Sequence, residues 1–287
     1  MQEIIDRPRV FFSDLDGTLL NREAQLSAFT RKHFEELLQM GMPIGLATAR
    51  SIVSVRSIFG DISCELPIVC ANGAFISDMK TGEHLSVQAM GEGVSQRLMD
   101  ELNAAKLVPF ISSHDRGVDH IYMQPVHNAG TEYYYQDRTN DGDPRIRLVE
   151  GWDAPFREQI VSFNVIAPKA QLKEMEQSLK EQFADELNFY GYSDWYHPDW
   201  YWLSSYDKAA TKASAIRQVM NQQGWNDRHL TVFGDQTNDI PMFEDADHAV
   251  ATANACAEIL SLADEIIGNH EEDAVVKYLL DVKDRVM

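Results

Sequence analysis

The stretch Phe11-Phe12-Ser13-Asp14-Leu15-Asp16-Gly17-Thr18-Leu19-Leu20 constrains the fold of this 287-residue chain more than any other. The run from Arg9 to Ser13 has the length and apolar content of a buried strand. It delivers two carboxylates with one residue between them, and a glycine follows. Residues two apart on a strand share a face, and Gly17 supplies a break at which Asp16 turns back over Asp14. Ligands of open α/β sheets bind beyond the carboxyl ends of the strands. A carboxylate there is placed to attack phosphorus and form an acyl phosphate, with its neighbour handling the proton. Turn-favouring Asp residues closing a strand would explain a bare Asp-x-Asp, but not the whole motif behind an apolar strand.

A second acidic motif, Gly234-Asp235-Gln236-Thr237-Asn238-Asp239, follows the apolar run His229 to Phe233 and opens a helix. Asp235 and Asp239 are four apart, so one helical turn brings both towards the end of the first strand. Crowded carboxylates repel by about 4 kcal/mol per pair at 4 Å and an effective dielectric near 20. A hard cation relieves that repulsion, and an all-oxygen ligand set indicates Mg²⁺ rather than Zn²⁺. An acidic helix start also favours the helix dipole, and the two roles coexist.

Strand-like and helical segments alternate through the first third of the chain. Ser27 caps a predicted helix with Phe34, Leu37 and Leu38 on one face, Pro43 to Thr48 and Pro67 to Ala71 read as strands, and Ser51 to Phe59 as a helix. Continuous apolar strands alternating with helices predict a parallel sheet covered on both faces. From about residue 84 to 198 the rhythm changes to longer strands and an evident helix, Lys169 to Ala184, which reads as an inserted α+β domain. The opening rhythm resumes after it, with a helix from Lys212 to Gln223 and a terminal helix from Asp273 to Lys283. The expected limits are therefore 1–83 with 199–287 for the core and 84–198 for the insertion. Within the insertion, Asn140 to Pro144 reads as a turn and His114-Asp115-Arg116 as a polar turn between strands. The aromatic run from Trp195 to Trp202 reads as packing more readily than as a sugar-stacking surface.

With 25 Lys plus Arg against 45 Asp plus Glu, the net charge is −20. Such a surface repels phosphate backbones and anionic lipid, so neither nucleic acid nor a membrane is an expected partner. No apolar run reaches the roughly 18 residues of a membrane span. Three cysteines, Cys64, Cys70 and Cys256, show no metal-ligand spacing. Reduced core thiols and a cytoplasmic location are expected.

The Asp14-to-Leu20 motif, Thr48-Ala49-Arg50, Asn72-Gly73-Ala74, a Lys-headed helix and the Gly234-to-Asp239 motif together resemble the haloacid dehalogenase superfamily. Their order resembles its Cof-type sugar-phosphatase branch. The resemblance implies a Rossmann-like parallel-sheet core, an inserted α/β cap, and Mg²⁺-dependent hydrolysis of phosphate monoesters. It implies Asp14 as nucleophile and metal ligand, and Asp16 as acid and base, binding metal through its backbone carbonyl. It implies Thr48 and Lys212 at the transferring phosphoryl, with Lys208 a weaker match to the Lys-headed helix. Asp235 would ligate metal, with Asn238 and Asp239 ordering the ligands. Asn72 and Gly73 would lie beside the phosphate, and Arg50 near cap or substrate. The expected activity is that of a phosphatase on a small phosphorylated metabolite. A sugar phosphomutase shares the first chemical step, and a metabolite-binding protein that kept the fold is the non-enzyme alternative. Dehalogenation is disfavoured because it needs neither Asp16 nor Asp235.

Overall fold

The computed structural model describes residues 7–62, 64–140, 142–193 and 199–286. Five strands come first: β1 Arg9–Ser13, β2 Ile44–Leu46, β3 Ile68–Cys70, β4 Phe75–Ser77 and β5 His84–Val87. Two helices lie among them, α1 Ala28–Gln39 and α2 Ile52–Phe59. Ser27 and Ser51 cap these helices, accepting from the amides of Thr30 and Ser54. The chain then runs through α3 Glu92–Ala104, β6 Phe110–Asp115, β7 Val118–Met123, α4 Ala129–Asn140, β8 Ile146–Leu148, β9 Gln159–Pro168, α5 Lys169–Gln182, β10 Leu187–Ser193 and β11 Trp200–Asp207. It closes with α6 Lys212–Gln222, β12 His229–Gly234, α7 Ile240–Asp245, β13 His248–Thr252, α8 Ala257–Leu262, β14 Glu265–Ile267 and α9 Ala274–Val286.

Internal contacts divide the chain into two units, Met1–Val87 with Thr211–Met287, and Gln88–Ala210. The first holds a parallel sheet in the order β14-β13-β12-β1-β2. A parallel bridge between Ala47 and Val69 extends it towards β3, which heads the antiparallel sheet β3-β4-β5. β1 lies between β12 and β2, and Val10, Phe11 and Phe12 are fully buried. Buried on both faces, β1 has no need of the apolar–polar alternation of a one-sided strand. Burying its aromatic side chains fixes the register that brings Ser13 opposite Phe233, so the ends of β1 and β12 meet.

The second unit is built on a sheet in the order β10-β11-β9-β6-β7-β8, antiparallel except between β7 and β8. α3 and α5 cover one face through Leu98, Met99, Leu172 and Leu179, against Ile111, Phe163 and Leu203. On the other face Tyr134 of α4 packs against Phe110 and Trp202. Trp200 and Trp202 are thus packing residues, while Trp195, Tyr196, His197 and Pro198 of the same aromatic run lie outside the described residues. So does Asp141 of the turn expected at Asn140 to Pro144. His114 and Asp115 end β6, Arg116 and Gly117 turn with positive φ, and the His114 Nδ1 lies 2.8 Å from Asp119.

Both expected limits of the insertion move. Residues 84–87, expected in the insertion, belong to the first unit, where β5 pairs with β4. Residues 199–210, expected in the core, belong to the second unit, where β11 pairs along its length with β9 and β10. Tyr201 and Leu203 alternate with Trp202 and Ser204 on β11, which is the period of a strand and carries no mark of which sheet it joins. Cys64 and Cys70 are buried and Cys256 half-buried, and none of the three forms a disulfide. Among the described residues, no helix is long and apolar enough to cross a membrane.

Candidate active site

The site is assembled at the carboxyl ends of β1 and β12. The Asp14 amide donates to the Phe233 carbonyl at 2.9 Å, which extends the β1–β12 pairing by one residue and fixes Asp14 in extended backbone. Leu15–Leu19 then forms a wide turn closed by the Leu20 amide donating to the Leu15 carbonyl at 2.8 Å. Asp16 and Gly17 leave helical geometry inside it, Gly17 at φ +72°. A Cβ on Gly17 would lie 2.3 Å from Asp235 Oδ2, so only glycine allows the two acidic segments to approach this closely.

Asp14, Asp235 and Asp239 form a buried cluster whose oxygens lie within 4.8 Å of one another. Lys212, the first residue of α6, enters it fully buried. Thr211 caps α6 in a capping box with Ser214, which aims the helix start at the acids. The Lys212 Nζ donates to Asp14 Oδ1 and to Asp239 Oδ1, each at 2.6 Å. Asp239 Oδ2 accepts the amides of Asp235 at 2.9 Å and Gln236 at 3.1 Å, so both its oxygens are engaged. Asp235 Oδ1 accepts the Thr18 hydroxyl at 3.0 Å, while its buried Oδ2 has no hydrogen-bond partner.

Three buried carboxylates therefore crowd one ammonium, which bonds only two of them. Burial pushes the Asp14 carboxyl up to about 7; Lys212 works against this, and Asp239 and Asp16 add to it. Burial, then Asp14 and Asp239, push Asp235 up to about 8. Burial works to lower the Lys212 ammonium, but Asp14 and Asp239 outweigh it and hold it above its ordinary value. Such a site either takes up protons or accepts a cation. The orphaned Asp235 Oδ2 beside Asp14 and Gly17 fits a hard cation with oxygen ligands.

Asp16 stands apart from this cluster. Its carboxylate is nearly half exposed and receives both arms of Arg50, Nε to Oδ2 at 2.7 Å and Nη2 to Oδ1 at 2.6 Å. Ser54 accepts the Arg50 Nη1 at 2.9 Å. Thr48 is fully buried; its hydroxyl oxygen accepts the Arg50 amide at 3.1 Å, which leaves its own proton out of that bond. Asn72 is buried and accepts from Asn238 Nδ2 at 3.0 Å, its amide donating to the Thr48 carbonyl. Ala71, Asn72 and Gly73 all have positive φ, and a Cβ on Gly73 would lie 2.1 Å from the Thr211 carbonyl oxygen. Close packing against the start of α6 accounts for that glycine. Lys208 is exposed and belongs to the second unit, whereas Lys212 belongs to the first and joins the acids.

Sequence reasoning passed over Thr18, the hydroxyl on Asp235, although it stands inside the first motif. It also passed over Thr252 and Asn254, which donate to the Gly17 carbonyl at 3.2 and 2.8 Å. No periodicity or charge pattern marks these two.

A family model described as haloacid dehalogenase-like hydrolase matches residues 11–279. Pyridoxal phosphate phosphatase YbhA of Escherichia coli (strain K12) is 23% identical over 282 residues, covering 94% of this chain and 97% of its own length. The 5-amino-6-(5-phospho-D-ribitylamino)uracil phosphatase YwtE of Bacillus subtilis (strain 168) is 22% identical, covering 93% of this chain and 95% of its own. The crystal structure of a haloacid dehalogenase-like hydrolase from Bacteroides thetaiotaomicron superposes with a TM-score of 0.75 at 20% identity, covering 96% of this chain and 100% of that one. At that identity the likeness speaks for the fold.

Proposed function

Because the chain belongs to the haloacid dehalogenase-like hydrolase family, we propose that it is a Mg²⁺-dependent phosphatase that hydrolyses a small phosphomonoester through an aspartyl-phosphate on Asp14. The observation that carries this reading is the buried trio Asp14, Asp235 and Asp239, of which Lys212 pairs only with Asp14 and Asp239, leaving one Asp235 oxygen unpartnered. Asp14, the backbone carbonyl of Asp16, and Asp235 would hold the cation, with Asn238 and Asp239 ordering them. When bound, Mg²⁺ neutralises the phosphoryl charge and keeps Asp14 ionised.

The remaining work falls to the chain's own side chains. An Asp14 oxygen attacks phosphorus, and the substrate's ester oxygen leaves with a proton from Asp16. Asp16, now a carboxylate, takes a proton from water, which attacks the acyl phosphate and regenerates Asp14 with inorganic phosphate. Lys212 holds Asp14 by one oxygen, leaving the other to attack, and offsets charge on the phosphoryl group. The Thr48 hydroxyl and the Asn72 amide side chain offer donors to the phosphoryl oxygens, with Gly73 holding that loop close to α6. Arg50 at present chelates Asp16. That pair must open for Asp16 to reach a leaving group, and a substrate anion competing for the guanidinium is a means of opening it.

The two relatives named above are phosphatases of pyridoxal phosphate and of 5-amino-6-(5-phospho-D-ribitylamino)uracil. A screen for phosphate release should therefore include pyridoxal phosphate and the ribitylaminouracil phosphate together with sugar phosphates and p-nitrophenyl phosphate. Turnover with Mg²⁺ that is lost in EDTA and in Asp14→Asn is expected. No release above the Asp14→Asn control from any compound would refute the proposal.

A further inference from the structure

The segment from Thr252 to Cys256, between β13 and α8, belongs to neither acidic motif, yet it grips both. On one side the Gly17 carbonyl accepts two side-chain hydrogen bonds from it, Asn254 Nδ2 at 2.8 Å and the Thr252 hydroxyl at 3.2 Å. On the other side the Cys256 amide donates to the Asp235 carbonyl at 2.9 Å. Asn254 is itself pinned, because its Oδ1 accepts the His270 amide at 3.0 Å. A backbone N–H only donates, so that bond fixes which end of the Asn254 side chain is oxygen and turns the NH₂ towards Gly17. Thr252 is fully buried, so its hydroxyl cannot turn to bulk water.

The gripped peptide lies against the acidic cluster. The Gly17 Cα abuts Asp235 Oδ2, the buried oxygen without a hydrogen-bond partner. The preceding peptide carries the Asp16 carbonyl, and two residues earlier is Asp14. Rotating the Gly17 peptide would therefore change the spacing between the Asp14–Asp16 turn and the Asp235 carboxylate together.

From this geometry we infer that Asn254, assisted by Thr252, is a positioning residue. It locks the Gly17 turn against Asp235 and so sets the oxygen spacing presented to a divalent cation. The inference rests on the cation-binding reading of the acidic cluster. Groups that orient metal ligands typically change affinity by about 10- to 100-fold when removed. A loop staple with no such role would alter stability and leave the cation affinity of the folded protein unchanged.

The test is titration of Mn²⁺ into metal-free protein well below its unfolding midpoint, followed by calorimetry and by the electron paramagnetic resonance signal of free Mn²⁺. Asn254→Ala is expected to raise the Mn²⁺ Kd about tenfold or more. Thr252→Val, which removes only the longer bond from a near-isosteric side chain, is expected to raise it by a smaller factor. It also serves should Asn254→Ala fail to fold. Wild-type binding matched by unchanged affinity in the folded variants overturns this inference alone. Absence of Mn²⁺ binding to the wild type overturns the cation-site reading with it.

Discussion

Replacing Asp235 with Asn should stabilise the metal-free protein while destroying its cation site. Asp235 is fully buried, with oxygens of Asp14 and Asp239 within 4.8 Å and no contact to Lys212. One like-charged pair at that separation costs about 3.5 kcal/mol at an effective dielectric near 20. Asp235 has two such neighbours, and the attraction of Lys212 offsets part of the sum, so the net relief on neutralising it is about 3–4 kcal/mol. Asn keeps an oxygen for the Thr18 hydroxyl. At about 2–4 °C per kcal/mol for a unit of this size, the midpoint should rise by roughly 10 °C.

The gain has a pH signature. The folded Asp235 carboxyl is pushed up to about 8 from an ordinary 3.8. The unfolded chain therefore releases this proton first, and wild-type stability falls as the pH rises from about 4 to about 8. The advantage of Asp235→Asn should be near its maximum at pH 8 and above, and should shrink towards pH 4. Thermal unfolding in EDTA across that range measures it. A variant no more stable than wild type at pH 8 without metal would refute the electrostatic account of the cluster.

The same linkage makes Mg²⁺ raise the wild-type midpoint more at pH 8 than at pH 5, where protons compete for Asp14 and Asp235; a midpoint rise independent of pH would contradict it. Gly73→Ala places a Cβ 2.1 Å from the Thr211 carbonyl oxygen at φ +97°. It should cost about 2 kcal/mol or more in urea unfolding and lower kcat by displacing Lys212; unchanged stability would remove the packing explanation. Arg50→Lys cannot grip a substrate anion with two parallel donors once the pair with Asp16 opens, and kcat/KM should fall about tenfold. Equal kcat/KM for the two proteins would show that the guanidinium has no part in engaging the substrate.

How far the sequence could be read depended on whether a feature is local. β1 was legible because its apolar run ends at once in Asp14 and Gly17, and α1 because Ser27 caps it. Lys212 stood out because it heads a helix. The limits of the inserted unit were misread because pairing is not local. His84–Val87 finds its partner in β4, and Trp200–Asp207 finds β9 and β10. Neither segment carries its partner in its own composition. The pairing of Asp16 with Arg50 spans 34 residues and that of Asn254 with Gly17 spans 237. Hydrogen bonds over such separations arise only once the strands have brought their ends together.

The most direct test of the account is to trap the phosphoryl group. Enzyme mixed with Mg²⁺ and a substrate from the screen is quenched rapidly in acid, digested, and its peptides weighed. A phosphoryl group on the peptide containing Asp14, absent from the Asp14→Asn protein, is the predicted result. Substrate turnover with no phosphoryl on Asp14 at any quench time, or phosphoryl on another residue, would contradict the central claim.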